Sequence, residues 1–259
     1  MIRSRRPSKK DRQGKILAGL RVSAVRTPDL AAELGVSAET IRRDLKGLAE
    51  RGSLHRIYGG AIARPNGTEA AWNERFKVMT KERAFIAGLA VRLVQPGEVL
   101  AVDAGSTTLH FAHRLAAECK NLTVVTNSFA VATALAANRG IQVIACPGRY
   151  DPHEDNVTGS DTLAFLSRFN LSRAFIGASG ITAEGVNDAN SDAAAVKRQM
   201  LTRAREGVLL VDHGKFGQQH LEVVCPLAAI KRIVTDRAPR HAFDGALRRA
   251  QISIDFKPG

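Results

Sequence analysis

The stretch Leu34-Gly35-Val36-Ser37-Ala38-Glu39-Thr40-Ile41-Arg42-Arg43-Asp44-Leu45 decides how the N-terminal part of this chain folds. Gly35 ends a helix, because glycine takes the left-handed conformation after a helix at no steric cost. Ser37 then caps a new helix, in which Ile41, Leu45 and Leu48 recur at i, i+4 and i+7 as one inward stripe. Glu39, Thr40, Arg42, Arg43 and Lys46 fall off that stripe, so the outer face is mainly basic. Two short helices joined by such a turn form a helix-turn-helix, whose second helix has the diameter to enter a major groove.

Toward the N-terminus, Thr27-Pro28-Asp29 predicts the start of the preceding helix: a hydroxyl cap, proline at the first position and an acid at the positive dipole end. Ile16, Leu17 and Leu20 predict an earlier helix from Asp11 onward. Residues 1–10, with Arg3, Arg5, Arg6, Lys9 and Lys10, lack apolar periodicity and predict a flexible basic arm. Toward the C-terminus, Leu54-His55-Arg56-Ile57-Tyr58 and Gly59-Gly60 predict a small hairpin, the wing of a winged helix, with Arg56 along phosphates.

The charge balance points the same way. The 259 residues hold 38 Lys+Arg against 25 Asp+Glu, a formal net charge of +13. Residues 1–64 carry 15 basic and 6 acidic side chains, and the rest of the chain is nearly balanced. A basic helix face alone is often merely solvated. Here the cap, turn, inward stripe, basic face, wing and charge excess follow one another in order, which favours double-stranded DNA as the partner. Arg42 and Arg43 offer forked donors to guanine edges or phosphates, and Ser37 and Thr40 suit contacts at the helix start.

Hydrophobic residues at 44% and charged residues at 24% describe a folded chain and exclude disordered or collagen-like classes. Cys119, Cys146 and Cys225 are widely spaced, which argues against a disulfide framework or a structural zinc site and fits a reducing cytosol. No apolar run approaches the roughly 20 residues that span a bilayer, and no signal-peptide core follows the basic start, so a cytoplasmic protein without membrane contact is expected.

The motif residues resemble a known family. Leu34-Gly35-Val36-Ser37, Glu39-Thr40-Ile41-Arg42-Arg43-Asp44-Leu45 and Gly59-Gly60-Ala61 resemble the DNA-binding domain of DeoR-family bacterial transcriptional regulators.

Beyond Pro65-Asn66-Gly67 the pattern changes. The expected division is a winged helix-turn-helix at 11–64, a linker at 65–72 and a larger α/β domain at 73–259 that opens with a helix from Asn73 to Val94. Apolar segments at Val99–Val102, Leu122–Val125, Ile141–Ala145, Ala174–Ile176, Val208–Val211 and Ile233–Val234 alternate with helical patterns, predicting a doubly wound, mainly parallel sheet. Ligands of such sheets bind beyond the carboxyl ends of the strands. Three strands there run into Asp103-Ala104-Gly105-Ser106-Thr107-Thr108, Thr126-Asn127-Ser128 and Asp212-His213-Gly214-Lys215. Ser106, Thr107, Thr108 and Lys215, with Gly105 in the same turn, suit a phosphate, while Asp103, Thr126 and Asn127 suit hydroxyls.

This half resembles the sugar-phosphate sensor domain of the same family, similar in fold to ribose-5-phosphate isomerase, on Lys81, Ile86-Ala87, Asp103 to Thr108, Val125 to Ser128, Phe175-Ile176-Gly177, Lys197 and Asp212 to Gly217. Where relatives commonly show a Gly-Gly pair, this chain has Cys146-Pro147-Gly148. The resemblance implies a repressor of carbohydrate or polyol genes, released from its operator by a phosphorylated sugar or polyol and needing no cofactor. A homo-oligomer is expected, because one winged helix reads only a few base pairs. The alternative is a sugar-phosphate isomerase-like enzyme with an accessory DNA-binding domain, using Asp103, Glu184, Asp188, Asp212 and Lys215. An operator-binding module gives an enzyme no evident benefit. His213, His220 and Cys225 fit no compact metal-ligand spacing, and no metal is expected.

Overall fold

The computed structural model describes residues 7–20, 25–50, 54–57, 59–62, 76, 78–239 and 241–256. Residues 1–6 of the expected basic arm, Gly52, Tyr58, the 65–72 linker and Asn73 lie outside the described residues. The chain divides into two compact units, Met1–Ala70 and Ala71–Gly259.

In the first unit α1 spans Lys9–Leu20, α2 Thr27–Leu34 and α3 Ala38–Glu50. Lys9 and Lys10, expected in the arm, instead begin α1, because the Ser8 hydroxyl accepts the Asp11 N–H at 3.3 Å and donates to the Asp11 carboxylate at 2.6 Å. The cap expected from the Thr27 hydroxyl is not made. A two-residue strand β1, Val25–Arg26, runs straight into α2, and the Thr27 N–H goes to Gly59 O at 2.8 Å. Strand pairing thus takes the place of a side-chain cap. At the other end Gly35 sits at φ 62° and the Val36 N–H closes on Ala31 O, so the helix stop is as expected.

Strands β2, His55–Ile57, and β3, Gly60–Ile62, form the wing hairpin, and β1 joins it in the order β1-β3-β2. Gly60 pairs with Arg26, and a Cβ there would stand 2.0 Å from Val25 O, which excludes any side chain. Ile16, Leu20, Leu30, Leu34, Ile41, Leu45, Leu48, Leu54 and Ala61 make the core. Ile41 is completely buried at its centre, so Ile41→Ala is expected to cost about 2–5 kcal/mol, enough to melt a unit this small. Calorimetry showing an unchanged first-unit transition in that variant overturns the assignment of α3's inner face.

The second unit is built on seven parallel strands. They are β4 Val99–Val102, β5 Leu122–Thr126, β6 Ile141–Ala145, β9 Leu171–Ile176, β12 Ala204–Leu210, β14 Arg232–Val234 and β15 Ser253–Asp255, in spatial order β15-β14-β12-β9-β4-β5-β6. Alternation along the strands divides the core between two faces. Leu100, Val102, Val124, Phe175, Val208 and Leu210 join α4 Thr80–Ala90, α5 Ser106–Glu118 and α6 Phe129–Ala136. Ala101, Val125, Ala174, Ile176, Leu209 and Ile233 join α7 Ser160–Leu166, α8 Ser191–Arg203 and α9 Asp244–Arg249. Burial on both faces explains why the strands read as continuous apolar runs.

The helix expected from Asn73 to Val94 is interrupted, with Phe76 helical before the break at Met79. α4 starts only at Thr80, because Met79 before it holds φ 54°, and it gives way to a 3-10 turn at Val91–Leu93. Two small antiparallel sheets were not predicted: the hairpin β7 Arg149–Asp151 with β8 Asn156–Thr158, and β10 Gly180–Ile181, β11 Gly185–Asp188 and β13 Glu222–Pro226. β15 also went unpredicted, since Ser253, Ile254 and Asp255 are at best half-buried and show no apolar run. None of the described helices is long and apolar enough to cross a membrane.

Candidate functional site

On α3, Ser37 accepts the Thr40 N–H at 3.2 Å and shares a hydrogen bond with the Thr40 hydroxyl at 2.9 Å, so the helix start is capped by its own first turn. Glu39, Arg42, Arg43 and Lys46 are exposed at helical i, i+3, i+4 and i+7 spacing, which places them on one stripe. The Glu39 carboxylate lies 3.2 Å from Arg42 Nη1 and 3.8 Å from Arg43 Nε, with all three side chains at least 60% exposed. Pairs this exposed contribute little to stability and exchange readily for a phosphate or a base edge. The Arg56 backbone lies in the wing strand β2, opposite Ala61. Asp44, on the inner side of α3, is 2% exposed and takes Arg12 Nε of α1 at 2.7 Å. This buried pair fixes α1 against α3.

In the second unit the strand order reverses between β4 and β9. From β4 the chain moves to β5 and β6, and from β9 it moves the other way to β12, β14 and β15. A crevice opens at such a switch point. Asp103, at the end of β4, is 1% exposed there and accepts the Gly177 N–H from the end of β9, at 3.2 Å to each carboxylate oxygen. Lys197 Nζ, from α8, lies 3.2 Å from Asp103 and 2.8 Å from Asp188 at the end of β11. Arg83 of α4 lies 3.6 Å from Asp212, both side chains 4% exposed.

Burial pushes the Asp103 carboxyl up to about 6, against the pull of Lys197 and the Gly177 N–H. Burial also disfavours the Lys197 ammonium, but Asp188 and Asp103 together outweigh it and hold its pKa above the usual lysine value. The folded Asp103 therefore binds its proton more tightly than the unfolded one, whose pKa is 3.8. Its contribution to stability is greatest below about pH 4 and declines as pH rises through about 6. Asp103→Asn lacks this decline, so its stability relative to the parent should improve from pH 4.5 to pH 7. A pH-independent difference in denaturant unfolding would sink the assignment.

The expected effector residues follow the carboxyl ends of β4, β5 and β12. Ser106, Thr107 and Thr108 are buried in the first turn of α5, which no described side chain caps, an arrangement that can accept an anion at the positive dipole end. Thr108 Oγ1 donates to Gly105 O at 3.0 Å. Asn127 Oδ1 accepts the Ala104 N–H at 3.1 Å while Nδ2 donates to Val157 O at 3.1 Å, so its amide positions the loop after β4. Thr126 Oγ1 accepts the Ser128 N–H, and the Ser128 hydroxyl caps α6. Lys215 ends a 3-10 turn that the Asp212 carboxylate caps through the Gly214 N–H at 3.0 Å, and His213 ties this turn to Asp236 at 2.7 Å. Gly148, after Cys146-Pro147, has φ 151°, and a Cβ there would meet Thr162 Oγ1 at 2.2 Å. Glu184 is exposed in the turn between β10 and β11, and Lys81 is exposed on α4.

Residue patterns left Arg83 unnoticed and brought in Asp188 only as a catalytic candidate. A signal was present, since Arg83 heads the buried stripe Ile86, Ala87, Ala90 and Lys197 falls among Ala194, Val196 and Met200. A cation on an apolar stripe needs a buried partner.

Two family models match the chain: a DeoR-like helix-turn-helix domain over residues 12–65 and a DeoR C terminal sensor domain over residues 78–237. The chain belongs to the DeoR family of transcriptional regulators. This DeoR-family regulator is 31% identical over 232 residues to the HTH-type transcriptional repressor GlcR of Bacillus subtilis, covering 89% of each chain. It is also 31% identical over 216 residues to the glycerol-3-phosphate regulon repressor of Escherichia coli, covering 83% of this chain and 85% of that one. Among solved structures, ribose 5 phosphate isomerase A from Neisseria gonorrhoeae superposes on 53% of each chain with a TM-score of 0.40 and 18% identity.

Proposed function

We propose that this DeoR-family regulator represses genes for the use of a carbohydrate or polyol and leaves its operator when a phosphorylated sugar or polyol binds its second unit. The observation that carries this reading is the meeting, at one switch point, of the uncapped α5 start with Ser106, Thr107 and Thr108 and of a buried acid-and-base cluster around Asp103. The first can hold a phosphate and the second can order hydroxyl groups. The relatives support it, since one is named for the glycerol-3-phosphate regulon and another, 30% identical, is described as a putative aga operon repressor of Escherichia coli O157:H7.

In this reading Ser37, Glu39, Thr40, Arg42, Arg43, Lys46 and Arg56 meet the operator, with chains paired about a two-fold axis. Asp103, Gly105, Ser106, Thr107, Thr108, Thr126, Asn127 and Lys215 form the effector site. The protein senses rather than turns over its ligand, as the regulator family suggests. A thermal-shift series with glycerol 3-phosphate, glucose 6-phosphate, fructose 1-phosphate and inorganic phosphate tests this, because a ligand held only by the native state raises its stability by mass action. Lys215→Ala should weaken the response at least tenfold and leave operator binding without effector intact. A folded Lys215→Ala protein with the parent's response places the phosphate elsewhere.

A further inference from the structure

His110 lies on α5, one turn beyond the hydroxyls at its start, and its ring stacks on Phe76 with centroids 4.8 Å apart and planes 20° from parallel. The imidazole also hydrogen-bonds the Phe76 backbone, while its Nε2 is buried with no hydrogen-bond partner among the described residues. Burial and the nearby charge of Arg83 push the ring's pKa down and so favour its neutral form, which stacks on an apolar aromatic without desolvating a charge. Arg83 leads from this stack to the end of β12, through Asp212 at 3.6 Å and the turn that ends in Lys215. The α5 start therefore reaches Phe76 through His110, and the Asp212–Lys215 turn reaches it through Arg83, whose charge acts on His110. The covalent route from the second unit to the DNA-binding unit runs through this same residue.

We propose that the Phe76–His110 stack is the clasp that couples occupancy of the effector site to the chain segment leading to the DNA-binding unit. The inference rests on the effector site proposed above. An anion between the α5 start and Lys215 competes with Asp212 for Arg83 and so changes the charge that His110 faces. The stack then holds in one state of the site and loosens in the other, and such a difference is what coupling between two binding events requires.

The test uses the full chain, a duplex operator selected by the parent protein from random DNA, and the phosphate compound that gives the largest thermal shift. His110→Gln and Phe76→Leu keep bulk at each position but abolish the stack. Both should bind operator and phosphate compound separately within about threefold of the parent. The factor by which the compound weakens operator binding, on the order of 5-fold to 150-fold in coupled systems, should drop below about twofold. Folded variants with the parent's coupling factor overturn the clasp alone. A parent with no response to any of the phosphates overturns the effector site and the clasp with it. His110→Asn and Phe76→Met replace whichever first variant fails to fold.

Discussion

Lys197→Met is expected to destabilise the second unit by about 3–5 kcal/mol, the usual cost of leaving a buried charge without its partner. The lysine reaches two carboxylates, Asp103 and Asp188, and all three residues are at most 6% exposed. Methionine matches the length of the chain but supplies no charge, so two acids face each other in a place water does not reach. One of them must then take up a proton at neutral pH. Adding Asp103→Asn to Lys197→Met should recover a good part of the loss, because the surviving acid no longer faces a like charge. Such non-additivity separates electrostatics from simple loss of packing. Denaturant unfolding of the two single variants and the double variant measures it; strictly additive losses would overturn the account.

The second large effect is on DNA. Replacing Arg42 and Arg43 together by alanine should cost about 1–3 kcal/mol for each arginine that makes a bidentate base contact. Both side chains are more than half exposed and, among the described residues, pair with Glu39, so their removal leaves the core of Ile41, Leu45 and Leu48 untouched. The first unit of the variant should melt as the parent does while its footprint disappears at concentrations where the parent protects DNA. An undiminished footprint from the folded double variant removes α3 as the reading helix.

Much of this architecture was legible because it is locally encoded. Gly35, Ser37 and Pro28 act within one turn of themselves, and the inward stripe of α3 follows from a period that any eleven residues display. The central strands were legible for a different reason: burial on both faces forces an unbroken apolar run, and β4 and β6 begin and end where that run does. The edge strand β15 has no such run, and the Thr27 hydroxyl lost its expected role to a strand that pairs with Gly60 and Ala61, far along the chain.

By itself, then, the sequence determined the helix-turn-helix, the wing, the parallel order of strand and helix, and the polar residues that follow each strand. Only the tertiary structure decided which of those residues meet. Arg12 finds Asp44, Arg83 finds Asp212, and Lys197 finds both Asp103 and Asp188. Periodicity shows which face of an element turns inward, but not which other element lies opposite. That depends on strand order, and here the pairing of β4 with β9 is what brings Asp103 to the Gly177 N–H, beside which the charged groups gather.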